Sequence, residues 1–440
     1  MSANPAAAAA LDAGTAVATQ LERRRRAVAE LWNLADELVL VGAGERISVP
    51  GRGDRTYPFR SHSEYFYLTD RNRPGGVLGF DPREGWVDFV TPITRDERLW
   101  EGATDDEHGG VPISELETWL EERRGRRVAC LGVPIADVAA DAELAEDLRY
   151  GLEQVRRQKD ALELERMRAA ERATSAGFAA VVPLLEAGRS EREIEIELEA
   201  EVFRNGADAL AFDTIVGGGP NAAVLHFAPT ARTFEEGEFV LIDAGGEVRG
   251  YASDITRTYT VGGRLSAEQE ELHAIVRAAN VAATRRCVAG TEWRDVHRAA
   301  ALVIAEGLAE LRLLRGDAET LVERGAQSVF FPHGIGHMVG LGIRDAGGAL
   351  RGRNSDPNEF PRLRVDLPLL PGYAMTVEPG IYFVPALLHD RVFRERHRDA
   401  VDWERAEGMV ALGGIRLEDN VLITADAPEV LTGDVPHTQP

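Results

Sequence analysis

The run Phe239-Val240-Leu241-Ile242-Asp243-Ala244-Gly245-Gly246, followed by Gly250-Tyr251-Ala252-Ser253-Asp254-Ile255-Thr256-Arg257, sets one carboxylate at the end of an apolar strand and a second one eleven residues later. Four consecutive apolar residues, Phe239 to Ile242, deliver Asp243 at a strand end. The glycines at 245, 246 and 250 permit a hairpin that returns the chain beside itself, which would bring Asp243 and Asp254 together. Two aspartates near turns are ordinarily turn residues, so this pair gains meaning only from what lies downstream.

Downstream stands His333-Gly334-Ile335-Gly336-His337. Histidines at i and i+4 suggest the helical zinc-protease motif, but that chemistry needs a glutamate after the first histidine, where Gly334 stands, and glycines disfavour a helix. A loop that gives one imidazole to a metal and leaves the other for proton work fits better. Met375-Thr376-Val377-Glu378-Pro379-Gly380 then ends an apolar strand on a glutamate, and Gly414-Ile415-Arg416-Leu417-Glu418-Asp419 carries another inside one. A carboxylate in a buried strand is costly unless paired or coordinated. Arg416 could pair with Glu418, but four carboxylates and an imidazole together make an oxygen-rich set suited to manganese, cobalt or magnesium rather than a thiolate zinc site. Such a set can hold two ions about 3.5–4 Å apart, bridged by a hydroxide.

Outward from this centre, the 440 residues exceed what one core organises, and two domains are expected, 1–155 and 156–440. Residues 21–37 have helical spacing, with Arg23–Arg26 on the side expected to face solvent. Strands are expected at Leu38–Val41, Tyr65–Leu68, Val77–Phe80, Trp86–Val90 and Val128–Leu131, with helices between, so the first domain is α/β. The charged, proline-free segment Gly151–Arg168 reads as a helical connector. Ser190 and Glu193 form a capping box. Strands are expected again at Ala211–Val216, Ala223–Phe227, Phe239–Ala244 and Thr256–Val261, then helices at 266–289 and 293–313, then strands around Met375–Phe383 and Gly414–Ile423. Gly217-Gly218-Gly219-Pro220 lacks the Gly-Lys-Ser/Thr ending of a phosphate loop and reads as a turn.

A formal charge of -23 and a pI near 5.0 argue against nucleic acid or an anionic membrane as partner. The apolar stretch Ala6–Leu11 has no cation before it and is broken by Asp12, so it reads as a tail leading into a helix rather than a signal sequence. No run is long and apolar enough to cross a membrane. Cys130 and Cys287 provide no disulfide framework, and a cytoplasmic location is expected.

The ordered motifs Asp243 to Asp254, His333 to His337, Glu378-Pro379-Gly380 and Arg416-Leu417-Glu418 resemble those of the proline-specific metallopeptidases, prolidase and aminopeptidase P. Tyr57-Pro58-Phe59-Arg60 through Tyr65-Phe66-Tyr67-Leu68-Thr69 resembles the aminopeptidase P type of N-terminal domain. The resemblance implies an α+β, pita-bread (creatinase/aminopeptidase-like) catalytic domain behind a smaller α/β domain. It implies Asp243, Asp254, His337, Glu378 and Glu418 as ligands of two divalent ions, manganese first, with cobalt or zinc as alternatives. By the same resemblance Glu378 would assist the bridging water as general base, His333 would bind the substrate carbonyl or relay a proton, and His226 would line a proline pocket. Arg416 would orient Glu418 and its surroundings. A homodimer acting on proline-containing dipeptides or short peptides is implied.

Two residues depart from that pattern: Arg344 stands seven residues after His337, where relatives usually carry a histidine, and Phe212 where many carry a tyrosine. Arginine cannot give and retake a proton at neutral pH, so Arg344 could only clamp a carboxylate or carbonyl. The long stretch between Glu378 and Glu418 resembles bacterial prolidases. With Arg344 as a carboxylate clamp, and Arg46, Arg52 and Arg55 as weaker candidates, the expectation leans to an Xaa-Pro dipeptidase (prolidase). The alternative is an Xaa-Pro aminopeptidase acting on longer peptides. A non-catalytic pita-bread binding protein, or a metal-free creatinase-like hydrolase, would be expected to lose ligands that this chain keeps.

Overall fold

The computed structural model describes residues 5–102, 109–353, 360 and 362–437. The chain divides into two compact units, Met1–Arg156 and Arg157–Pro440. Among the described residues no helix is long and apolar enough to cross a membrane.

The first unit is built on a five-stranded sheet in the order Val111–Pro112, Gly85–Val90, Val77–Asp81, Leu38–Gly42, Val128–Gly132. Leu38–Gly42 is central, antiparallel to Val77–Asp81 and parallel to Val128–Gly132, and it is buried throughout, as its unbroken apolar run requires. Two expectations need correction here. Tyr65–Leu68 is not a strand but the middle of helix Ser63–Thr69, whose start is capped by the His62 ring accepting from Glu64 N. A short run buried on every side carries no period, so helix and strand read alike in the sequence. Nor is Arg23–Arg26 a simple solvated face. Arg24 is 3 % exposed, donates to Tyr67 O at 3.0 Å and lies over the Tyr67 ring, while Arg25 donates to Leu68 O and Asp88.

The expected connector is broken: helix Ala142–Arg157 ends, and Asp160 starts helix Ala161–Val181 through a capping box with Glu163. In the second unit, Phe239–Ala244 lies between Ile215–Gly218 and Ile255–Thr260, antiparallel to both. Its Val240 and Ile242 pack under helices Ala161–Val181 and Glu191–Arg204, whereas Phe239 joins the other core beneath helices Ala267–Arg286 and Trp293–Glu310. Burial on both faces explains the continuous apolar run, each such side chain contributing about 1.5–3 kcal/mol. Ser190 caps Glu191–Arg204 with Glu193 as its reciprocal partner. The expected strand Ala223–Phe227 is absent: Ala223 ends the 3-10 helix Gly219–Ala223, and a turn follows it. Each of the last two expected strands is a pair of shorter ones: Ala374–Val377 with Gly380–Tyr382, and Gly414–Arg416 with Asp419–Leu422.

Candidate metal centre

The sheet register sets the first two carboxylates. Asp243 lies opposite Thr256, and Asp254 immediately precedes the returning strand, after the small hairpin Gly246–Val248 and Tyr251–Ala252. Gly245 is required there, because a Cβ would sit 2.0 Å from Ser253 O. Asn420 fastens Asp254 from both sides: its side chain accepts from Asp254 N at 3.0 Å and donates to Asp254 O at 2.8 Å.

The histidine loop is stitched to strand Ala374–Val377. Glu378 N donates to Ile335 O, Thr376 N to His337 O and His337 N to Thr376 Oγ1, which holds the histidine loop along the strand that leads to Glu378. Gly336 allows the approach, since a Cβ there would fall 2.1 Å from Thr376 O. Glu418 N donates to Thr256 O, and Thr256 Oγ1 donates to Glu418 Oε2 at 2.7 Å while accepting from Arg416 Nε.

Donor atoms of Asp254, His337 and Glu418 lie within 4.8 Å of one another, all buried. Asp243 and Glu378 line the same cavity of about 1060 Å³. Asp243 Oδ2 accepts from Arg416 Nη2, yet its Oδ1 is buried without a partner among the described residues. Burial first, then the charges of Asp243 and Glu378, pushes the Asp254 carboxyl well above the usual range, against Arg416. Burial, followed by Asp254, Glu378 and Asp243, does the same to Glu418. Burial lifts Glu378 to about 7, with Arg416 opposing. Four carboxylates around one buried guanidinium, with an orphaned oxygen on one of them, are the environment of a bound cation. The donor set fits divalent ions.

The imidazoles are set for different work. Burial holds His337 down to about 4, so the ring is neutral. Its Nδ1 lies 3.0 Å from Met338 O, which fixes the proton there and leaves the Nε2 lone pair free, 3.5 Å from Asp254 Oδ2. His333 is held at about 3 by burial and then by Arg416. Its Nδ1 donates to Gly334 O and its Nε2 accepts from Tyr382 OH, both at 2.9 Å, so both ring nitrogens are engaged.

His226 and Phe212 line the same cavity, as do Arg344, Arg362 and Arg364. Arg46, by contrast, is held by Glu101 through two hydrogen bonds in the first unit and is no free clamp.

Residues 165–425 match Metallopeptidase family M24, and residues 21–120 match Aminopeptidase P, N-terminal domain. The chain belongs to metallopeptidase family M24. Among curated proteins it is 31% identical over 393 residues to a probable Xaa-Pro aminopeptidase of Botryotinia fuckeliana, and 32% identical over 407 residues to one of Aspergillus clavatus, with 86% of each chain covered in both cases. Among solved structures it resembles the aminopeptidase PepP of Pseudomonas aeruginosa, at TM-score 0.78 and 28% identity over 96% of both chains. It also resembles a zinc-substituted aminopeptidase P of Escherichia coli in complex with product, at TM-score 0.78 and 26% identity over 95% of both chains. This M24 chain is therefore a metallopeptidase, with the α+β pita-bread catalytic domain behind an aminopeptidase P type of N-terminal domain. The relatives' names favour the aminopeptidase alternative over the dipeptidase expectation.

Several supports of the M24 site were not singled out in the sequence. Thr256, Thr376, Tyr382 and Asn420 hold ligands or their neighbours. Asn420 alone had a visible signal, as a polar residue between Asp419 and the apolar Val421-Leu422.

Proposed function

We propose that this metallopeptidase is an Xaa-Pro aminopeptidase, releasing the N-terminal residue of peptides whose second residue is proline. The observation that carries the reading is the buried Asp254, His337 and Glu418 group, in a chain whose curated relatives are named Xaa-Pro aminopeptidases along most of its length.

Asp243, Asp254, His337, Glu378 and Glu418 would hold two divalent ions, for which the oxygen-rich donors favour manganese. When bound, these supply Lewis acidity and lower the pKa of a coordinated water. Glu378, at the mouth of the cluster, accepts the proton of the attacking water on its carboxylate, and the proton passes on to the leaving proline nitrogen. Arg416 orients Asp243 directly and Glu418 through Thr256 Oγ1. His333 donates to a substrate carbonyl only if its proton moves to Nε2 as well as its bond to Tyr382 OH being exchanged, because the Nδ1–H is held by Gly334 O. His226, beside Leu225 and Phe227, gives the cavity an apolar side suited to a pyrrolidine ring.

The test is cleavage of Ala-Pro-Ala beside Ala-Pro by manganese-loaded protein, with a chelated control. Metal-dependent release of alanine mainly from the tripeptide supports the aminopeptidase. Cleavage of the dipeptide alone would restore the prolidase, and cleavage of neither would sink both.

A further inference from the structure

Glu191, the first residue of helix Glu191–Arg204, buries its carboxylate completely among neutral donors. Its Oε1 accepts from Gly218 N at 3.1 Å and from Asn221 Nδ2 at 2.7 Å. Its Oε2 accepts from Thr230 N at 3.1 Å and from Thr230 Oγ1 at 2.6 Å. A nearby guanidinium, that of Arg232, is paired with Glu238 instead. A buried carboxylate is costly, and the four bonds offset that cost. The backbone around it adds to the fastening: Glu191 N donates to Arg232 O, Arg192 N to Thr230 O, and Arg192 Nη2 to Pro229 O at 2.6 Å.

These donors stand on the two flanks of one loop. Gly218 and Asn221 precede Leu225, His226 and Phe227, Thr230 follows them, and the three residues between line the cavity of the metal centre. Val224 N is held by Asn221 O, but the backbone of residues 225–228 makes no hydrogen bond with a described residue. Leu225 and Phe227 pack against Ile215, Leu241 and Tyr382. His226 stands between them, exposed and without a polar partner among the described residues. A tip with no bonds of its own takes its position from its ends, and each end here is held by one oxygen of the same carboxylate.

We infer that Glu191 is a positioning residue for the proline-binding wall: by closing the base of the 218–230 loop, it sets where His226 stands in the cavity. The inference rests on the proline-peptidase reading, in which His226 lines the pyrrolidine pocket, and adds the residue that holds that pocket in shape. A substrate that meets a wall already in place binds without the entropic cost of ordering it. Glutamine is no substitute for Glu191, because its amide nitrogen would face one pair of donors while its oxygen meets the other.

The experiment is a double-mutant cycle on kcat/KM for Ala-Pro-Ala, using manganese-loaded protein. N221A removes one donor to Oε1, and T230V removes the hydroxyl donor to Oε2 while keeping the backbone one. Each should lower kcat/KM by about tenfold, the smaller end of what a hydrogen bond to a charged group is worth, and E191Q should lower it further. In the H226A background N221A and T230V should cost less than about twofold each, because the group they position is gone. If H226A turns over too slowly for rates, the same cycle is read from the Kd of Ala-Pro-Ala by calorimetry. Metal content should equal that of the wild type throughout. If E191Q fails to fold, the two milder variants carry the test. Equal losses with and without His226, no loss in N221A and T230V, or a fall in metal content would overturn the positioning role alone. Absence of cleavage by the wild type would overturn the proline-peptidase reading with it.

Discussion

Arg257 and Arg416 are both buried arginines beside the Glu418–Asp419 pair, yet their surroundings end differently. Arg257 is saturated: it donates to Thr256 O, Glu418 O, Thr432 O, Val435 O and Asp419 Oδ1. Asp419 receives Thr432 Oγ1 as well, and although burial pushes its carboxyl up, Arg257 and its other partners hold it below the usual range. Charges cancel, donors meet acceptors, and the C-terminal segment is pinned. Around Arg416 the arithmetic does not close, because Asp243, Asp254, Glu378 and Glu418 share it and Asp243 Oδ1 is left over. A closed polar network holds structure, while one carrying surplus charge and an orphaned oxygen is built around something that arrives later.

The comparison breaks most visibly at Arg257. Arg257→Leu leaves Asp419 buried without its partner, which costs about 3–5 kcal/mol of stability. Urea unfolding of the metal-free variant reads it directly, and a loss well under about 1 kcal/mol would mean that the network is not structural.

Asp254→Asn tests the other network and should act in opposite directions on activity and stability. Supports of metal ligands typically cost about 10–100-fold when lost, so loss of a ligand should exceed roughly 100-fold in kcat/KM, together with a lower metal content. The metal-free variant should nevertheless melt higher than the metal-free wild type. The Asp254 carboxyl is raised in the folded state, so the folded chain holds its proton more tightly than the unfolded chain does. Its contribution to stability is therefore present in acid and lost as pH rises above the ordinary carboxylate range. Asparagine removes that loss, and the melting temperature of the metal-free variant should depend less on pH. An unchanged activity and metal stoichiometry would end the ligand assignment.

How far this difference could be read from sequence depends on which residues signal alone. A carboxylate inside an apolar strand is conspicuous, so Glu378 and Glu418 stood out, while Asp243 gained its meaning only from the motifs downstream, and their order along the chain carried the family. Asp254 and His337 lie in glycine-rich turns and drew meaning from that order. Arg257 was not singled out, because Thr256–Val261 reads only as a strand, and its partners at 419, 432 and 435 are remote in the chain. The bonds of Glu191 to Gly218, Asn221 and Thr230 join residues far apart in sequence and were equally hidden. Tyr65–Leu68 was misread for a local reason, since its uniform burial erased the period that separates helix from strand.

The smallest effect expected concerns Tyr382, which joins Arg416 to the histidine loop. Its hydroxyl accepts from Arg416 Nη1 at 3.0 Å and donates to His333 Nε2 at 2.9 Å, and burial keeps the phenol protonated. Tyr382→Phe removes both bonds, at about 1 kcal/mol of stability and less than about tenfold in kcat/KM. Losing the donor to Nε2 favours protonation of His333, but burial is the first cause of its neutrality and the Arg416 charge the second, and both remain. The pH–rate profile of the variant should therefore gain no acid limb attributable to an imidazole above about pH 5. A new limb near the ordinary histidine value would show that the hydroxyl, rather than burial, keeps His333 neutral. Tyr382 would then belong with the residues that set protonation at the open centre, not with those that only brace it.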